Sequence, residues 1–414
     1  MSKRILLIGG NFAPEPTGIG KYNGEMMEWL ANKGYECAVI TSYPYYPQWK
    51  VQEPYSSHKS WYRKEEMNGG RLKVHRCPQY VPSEPSGKKR MMLEASFACS
   101  ALVKLLQLIP KKRFDVVIVV APSFHLGLLA LLYKKMRKAA FHYHIQDLQI
   151  EAARDLDMIR SPRLISMMLR LERYILKGAD HVSSISDGMM QKIAGKTAAR
   201  VKYFPNWVDV ERFRPLPDRH QIKAAYGFSP ADRIVLYSGA IGEKQGLEAI
   251  LHAARMMADM PQAKFVICGS GPYREKLQLR AAELDLRQVY FLPLQPAASF
   301  NEFLNMADVH LVIQKANASD LVMPSKLTTI LSVGGLAVIT ANPSSTLHQL
   351  VTKYQMGMLV EAENANALCE GIRLALEQNT TAIRDNARSY AVDHLSIANV
   401  MERFEEQIIN AAVC

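Results

Sequence analysis

Cysteine is scarce in this sequence: six residues in 414, at positions 37, 77, 99, 268, 369 and 414, with no C-x-x-C and no close pair. That spacing excludes a disulfide framework and a thiolate metal site, and it fits thiols kept reduced in a cytoplasm. Long apolar runs are also missing. No stretch reaches the roughly 18 uninterrupted apolar residues of a comfortable spanning helix, and the run in MSKRILLIGG is too short for a secretory signal. A full G-x-G-x-x-G fingerprint is absent, and the second apolar run ends in Thr41-Ser42-Tyr43 with no acid to mark a ribose, which disfavours dinucleotide binding. No motif for reading bases occurs, so nucleic acid is not the expected partner.

What is present is a globular composition, 48% hydrophobic and 22% charged, at a length that calls for two domains. The net charge of +12 is unevenly placed. Residues 1–205 hold 32 Lys and Arg against 17 Asp and Glu, and residues 206–414 hold 19 against 22. The basic half is expected to meet an anionic surface or ligand.

Short apolar runs at Ile5–Ile8, Cys37–Thr41, Val116–Val120, Ala140–Ile145 and His181–Ile185 read as buried parallel strands. So do Ile234–Tyr237, Lys264–Cys268, Val289–Leu292, Val309–Ile313 and Ala337–Thr340. Helical spacing between them, as in Lys21–Lys33 and Leu247–Met257, predicts α/β domains with parallel sheets. KRILLIGG and RIVLYSG each run from strand to glycine, so the two halves begin alike. The proline-bearing stretch Phe204–Pro217 places the border: domains over 1–205 and 206–395, then a C-terminal helix over 396–414 expected to pack back on the first.

Several motifs carry chemistry. Gly18 and Gly20 lie between the first strand and helix, where a backbone can approach a phosphate or sugar as readily as make a turn. Tyr45, Tyr46 and Trp49 in a Pro-rich loop are candidates for stacking on an acceptor sugar or chain, or for a small aromatic cluster of the loop's own. Lys88–Arg113 is largely apolar between Lys88, Lys89, Arg90 and Lys111, Lys112, Arg113, a pattern suited either to a membrane interface or to a buried helix with solvated ends. FHYHIQDLQ brings His144 and Asp147 to a strand end as candidates for acid–base or acceptor-orienting work, with the alternative that the histidine is structural. His142 and His144 lack a third metal ligand, and Asp155-Leu156-Asp157 has the D-x-D form by chance rather than by placement. In the second half, Gly239 and Gly242 around Lys244, then Gly269 and Gly271, form two glycine loops suited to a nucleoside diphosphate. Ser325 reads as a helix cap and Lys326 as a further phosphate partner.

Together these residues resemble the GT-B glycosyltransferases of family 4 over nearly the whole chain. The match runs from Gly18–Gly20 through Asp147, LERYILKGADHVSSISDGM and FPNWVD to SGAIGEKQG, GSGP and PSKL. TGIGKYNGEMMEWL, PYYPQW and PSKLTTILSVGG narrow the likeness to transferases of colanic-acid-type exopolysaccharide assembly. The resemblance implies two Rossmann-like domains facing a cleft, transfer with retention, and no metal. It also implies a GDP-fucose donor on the second domain and an undecaprenyl-diphosphate-linked acceptor on the first, at an anionic membrane surface on the inner face of the plasma membrane. Two departures stand out. Ala240 and Gln245 occupy positions where the family often has Arg and Lys, and the E-x7-E pair is replaced by Leu321 and Thr329, with Asp320 the nearest carboxylate for a ribose. A nucleotide-sugar epimerase, another GT-B enzyme, or a non-catalytic nucleotide- or lipid-binding scaffold are the rival readings.

Overall fold

Every apolar run named above becomes a strand of a parallel sheet. The computed structural model describes residues 2–15, 18–84, 86–155, 161–314 and 324–411. They form two α/β units: Met1–Pro205 with Met401–Cys414, and Asn206–Val400. The first holds β1 (Arg4–Ile8), β2 (Glu36–Ser42), β3 (Arg63–Met67), β4 (Leu72–Cys77), β5 (Val116–Ala121), β6 (Ala140–Ile145), β7 (His181–Ser184) and β8 (Val201–Tyr203). Their order across the sheet is β3-β4-β2-β1-β5-β6-β7-β8, with only β3 antiparallel to its neighbour. The second unit holds β9 (Arg233–Ser238), β10 (Ala263–Cys268), β11 (Val289–Leu292), β12 (Val309–Val312), β13 (Ala337–Thr340) and β14 (Met358–Val360), ordered β11-β10-β9-β12-β13-β14.

Burial follows from this layering. β5 is covered on both faces and every one of its residues is buried, so it reads as an unbroken apolar run. The strands that the apolar pattern misses are β3, β4, β8 and β14. β3 is the charged edge segment RKEEM, mostly exposed, where charge discourages pairing with another chain. β8 and β14 have three residues each. β4 buries His75 and Arg76, which no hydrophobic pattern anticipates.

Helix α1 (Gly18–Asn32) follows β1, and α2 (Gly87–Leu108) covers β2 and β4. α2 buries Leu93, Phe97, Ala101, Leu105 and Leu108 on the sheet and exposes Met91, Met92, Val103 and Leu106. Its length and composition match those of a helix able to cross a membrane. At the C-terminus, the helix Ile397–Phe404 runs into a single π turn, Glu405–Ile409. Phe404 stacks on Phe204 with ring centroids 4.4 Å apart, and the Tyr35 hydroxyl donates to Glu405 at 2.5 Å. The border between the units falls at Val400, inside that helix, rather than at 395.

Candidate active site

In an open α/β sheet, ligands bind beyond the carboxyl ends of the strands where the strand order reverses. In the second unit that point lies between β9 and β12. β9 ends at Ser238 and feeds Gly239, while the helix Lys326–Ser332 brings Lys326 to the same place. The Lys326 ammonium lies 3.7 Å from the centre of the Tyr237 ring, and a Cβ added at Gly239 would sit 2.8 Å from Nζ. Among the described residues no carboxylate pairs with it, and desolvation pulls its pKa down to about 7. A lysine enclosed against an aromatic face, with no counter-ion among the described residues, has the chemistry to receive an anionic ligand.

The two glycine loops stack on each other. Ile241 N donates to Ser270 O at 2.9 Å and Gly239 N donates to Cys268 O at 2.9 Å. A Cβ at Gly269 would fall inside the Gly239 carbonyl oxygen, and one at Gly271 would strike the Ile241 carbonyl. Glycine is therefore required at 269 and 271 by loop-on-loop packing. Arg274, which the sequence pattern did not single out, fixes the second loop by donating to Gly269 O at 2.6 Å and to Leu292 O at 2.9 Å. Gly242 opens a one-turn helix, Glu243–Gln245, that contains Lys244, whose side chain lies outside the described set. Asp320 and Leu321 also lie outside it, as does Asp157 of the D-x-D sequence.

One expectation near Lys326 is corrected. Ser325 occupies the cap position, but its backbone is already helical and its hydroxyl makes no capping bond. The Thr329 hydroxyl donates to the Lys326 carbonyl at 3.0 Å, back within its own helix.

In the first unit the strand order reverses between β1 and β5. Past β6, Asp147 is half-buried at the strand end. His144 is placed differently from the expectation. It is 2% exposed, its Nδ1 lies 2.8 Å from Ser183 Oγ, and the Phe204 ring packs at 4.8 Å. His142 Nε2 lies 2.7 Å from the same hydroxyl. Burial drives the His144 pKa down to about 3 and that of His142 well below its usual value, so both rings are neutral. The reading of His144 as an acid–base group is corrected to a packed residue that braces β6 behind Asp147. Past β5, Ser123 Oγ donates to Glu94 at 2.7 Å and His125 Nε2 lies 3.7 Å from the same carboxylate, a polar cluster the motif search passed over.

Gly18 and Gly20 form the first turn of α1. A Cβ at Gly20 would meet Glu15 Oε2 at 2.6 Å, so glycine there makes room for a buried carboxylate. Tyr45, Tyr46 and Trp49 do come together: Trp49 is edge-on to Tyr45 at 5.7 Å and to Tyr46 at 6.4 Å. Trp49 and Val51 line a cavity of about 1070 Å³, with Tyr80 and Val81 past β4 and Ser96, Cys99 and Val103 from α2. Lys88 and Arg90 are exposed in the first turn of α2, Lys89 is half-buried, and the Arg90 guanidinium lies 5.0 Å from the centre of the Trp49 ring. At the other end, Lys111 is exposed, whereas Lys112 pairs with Glu36 at 3.4 Å and Arg113 with Asp115 at 3.0 Å. The C-terminal cluster is thus partly neutralised. Among the described residues no group of three His, Cys, Asp or Glu side chains gathers as a metal site.

The comparisons agree with this architecture. Residues 17–207 match the glycosyl transferase 4-like domain and residues 218–393 match the glycosyl transferases group 1 family. The chain is 40% identical to WcaI of Escherichia coli K12, named as a candidate colanic acid biosynthesis glycosyl transferase, over 98% of this chain and 99% of that one. It is 25% identical to a GDP-mannose-dependent phosphatidylinositol monomannoside mannosyltransferase of Mycolicibacterium smegmatis, over 54% of this chain and 60% of that one. Among solved structures, sucrose-phosphate synthase from Thermosynechococcus elongatus superimposes with a TM-score of 0.76 at 17% identity, covering 99% of this chain and all of the other. Anabaena HepE, in complex with UDP and glucose, gives 0.72 at 13% identity with the same coverage. With two Rossmann-like parallel-sheet units and both family domains in order, the chain belongs to the GT-B glycosyltransferases of family 4.

Proposed function

We propose that the chain transfers fucose from GDP-fucose to a saccharide on undecaprenyl diphosphate in colanic-acid-type exopolysaccharide assembly, working at the inner face of the plasma membrane. The likeness to WcaI supports the pathway, and the mannosyltransferase relative supports a GDP-linked donor and a lipid-borne acceptor. The observation that carries the reading is the first unit's groove. Trp49 and Val51 of the aromatic loop, Lys50 and Lys59, and the α2 face that carries Ser96, Cys99 and Val103 line one cavity, and the basic first turn of α2 reaches its wall where Arg90 packs on Trp49, an arrangement that suits a saccharide joined to a charged, greasy carrier.

In this account Lys326, with Lys244, balances the diphosphate charge that grows as the glycosidic C–O bond breaks. Retention requires the acceptor hydroxyl to enter on the face the diphosphate leaves. Its oxygen then bonds the anomeric carbon while its proton passes to the departing phosphate oxygen. Asp147 orients that hydroxyl. No step calls for a metal.

Membrane docking is tested by sedimentation with anionic phosphatidylglycerol vesicles at rising salt. The wild type binds at low salt and is released as screening grows, and the triple reversal Lys88→Glu, Lys89→Glu, Arg90→Glu weakens binding about tenfold or more. Salt-insensitive binding, or binding unaffected by the reversal, contradicts the electrostatic part.

A further inference from the structure

The acceptor loop is anchored by a residue outside every motif. Glu15 sits between β1 and α1, is 2% exposed, and turns its carboxylate inward. Oε1 accepts the backbone N–H groups of both Tyr45 and Tyr46, each at 3.0 Å. Oε2 accepts from Asn11 Nδ2 at 2.9 Å. Burial raises the Glu15 pKa, while the two backbone N–H groups, Asn11 and the nearby Arg76 charge oppose that rise. Arg76, itself buried on β4, completes the frame: it donates to Ala13 O at 2.6 Å and to Ser42 O at 3.3 Å, pairs with Glu65 at 3.2 Å, and lies over the Tyr55 ring at 5.2 Å.

This frame ends at the groove. Tyr45 and Tyr46 contact Trp49, which lines the cavity and holds a left-handed backbone, φ 55°. A tryptophan stays in that conformation only where its surroundings over-determine it. Arg90 presses on the ring from α2, and the Glu15 bonds hold the chain just before it.

We propose that Glu15 is a positioning residue for the acceptor: it fixes the Tyr45–Trp49 wall of the groove without touching substrate. The inference rests on reading that groove as the acceptor site. A buried carboxylate serves here because two neighbouring backbone N–H groups and an amide converge on it, and deleting it would leave all three unsatisfied.

The test follows the two amides directly. Hydrogen exchange of Tyr45 and Tyr46 is measured in the full-length wild type, Glu15→Ala and Glu15→Gln, beside steady-state kinetics with glucosyl-diphospho-undecaprenol as acceptor and GDP-fucose as donor. Glu15→Ala is expected to lower protection of the two amides by about tenfold or more and raise the acceptor KM by a similar factor, with the donor KM within about twofold. Glu15→Gln keeps an oxygen for the two N–H groups and is expected to restore most of both. Should Glu15→Ala fail to fold, Gly20→Ala pushes the carboxylate with an added Cβ and is expected to show the same signature in milder form. Unchanged protection at Tyr45 and Tyr46, or donor and acceptor constants rising in parallel, would overturn the proposal. If protection falls and is rescued while the acceptor KM stays put, Glu15 still anchors the loop but the groove is not the acceptor site. If the wild type transfers nothing with this pair, the substrate assignment fails and the exchange data decide the anchoring on their own.

Discussion

Replacing Lys326 with methionine should strengthen the free protein and weaken its grip on nucleotide. The Lys326 ammonium is enclosed beside Gly239 and has no carboxylate partner among the described residues, and burial holds it near 7 instead of 10.5. A lysine displaced that far carries up to ~4 kcal/mol of burial cost at neutral pH. Residual solvent contact and the Tyr237 ring, worth up to ~2 kcal/mol, reduce the figure to ~1–3 kcal/mol. Methionine matches the stem and removes the charge, so the melting temperature of ligand-free Lys326→Met should rise by about 2–8 °C at pH 7. The pH sign is fixed by the direction of the shift. The folded pKa lies below the unfolded one, so the penalty is absent above about 10.5, grows as pH falls, and is complete below about 7. The gain should therefore shrink by pH 9.5. A charge-assisted bond to a diphosphate is worth ~1.5–3 kcal/mol, so GDP should bind about 10- to 150-fold more weakly to the variant. Wild-type affinity should fall as pH rises through 7, while the variant stays flat. Thermal melts and calorimetry with GDP and UDP measure both. A variant that melts lower and binds GDP as tightly as wild type would refute the reasoning.

The loop stacking predicts that Gly269→Ala costs about 3 kcal/mol, since the added Cβ meets the Gly239 carbonyl at a backbone φ of 151°, and urea denaturation would show a loss below about 1 kcal/mol if the loops can part. Phe404→Ala should cost about 3–5 kcal/mol by removing a buried ring stacked on Phe204, and a near-neutral result would mean that the C-terminal helix adds little to the first unit.

How much the sequence reveals depends on how far apart the cooperating residues lie. Apolar runs such as Val116–Ala121 announce their strands because burial on both faces leaves no polar position. The polar edge β3 gives no such sign, and β4 hides Arg76 in the core because its partners, Ala13 in a loop and Ser42 at the end of β2, come from distant parts of the chain. Glycine motifs mark loops faithfully but not their purpose. Gly20 clears space for Glu15, and Gly269 and Gly271 let one loop rest on another, contacts that exist only once the chain is folded. His144 shows the same limit: its place at a strand end suggested chemistry, yet Ser183 and Phe204 enclose it. The place of Lys326 at the start of a helix was legible in the sequence. Glu15 was not, since the amides it serves lie 30 and 31 residues away.

The central claim is the transfer itself. Purified full-length protein is incubated with glucosyl-diphospho-undecaprenol and each of GDP-fucose, GDP-mannose and UDP-glucose, and the lipid is then analysed by mass spectrometry. One deoxyhexose is expected to be added with GDP-fucose and no hexose with the other two; no deoxyhexose with GDP-fucose, together with hexose transfer from UDP-glucose, would contradict the proposed transfer.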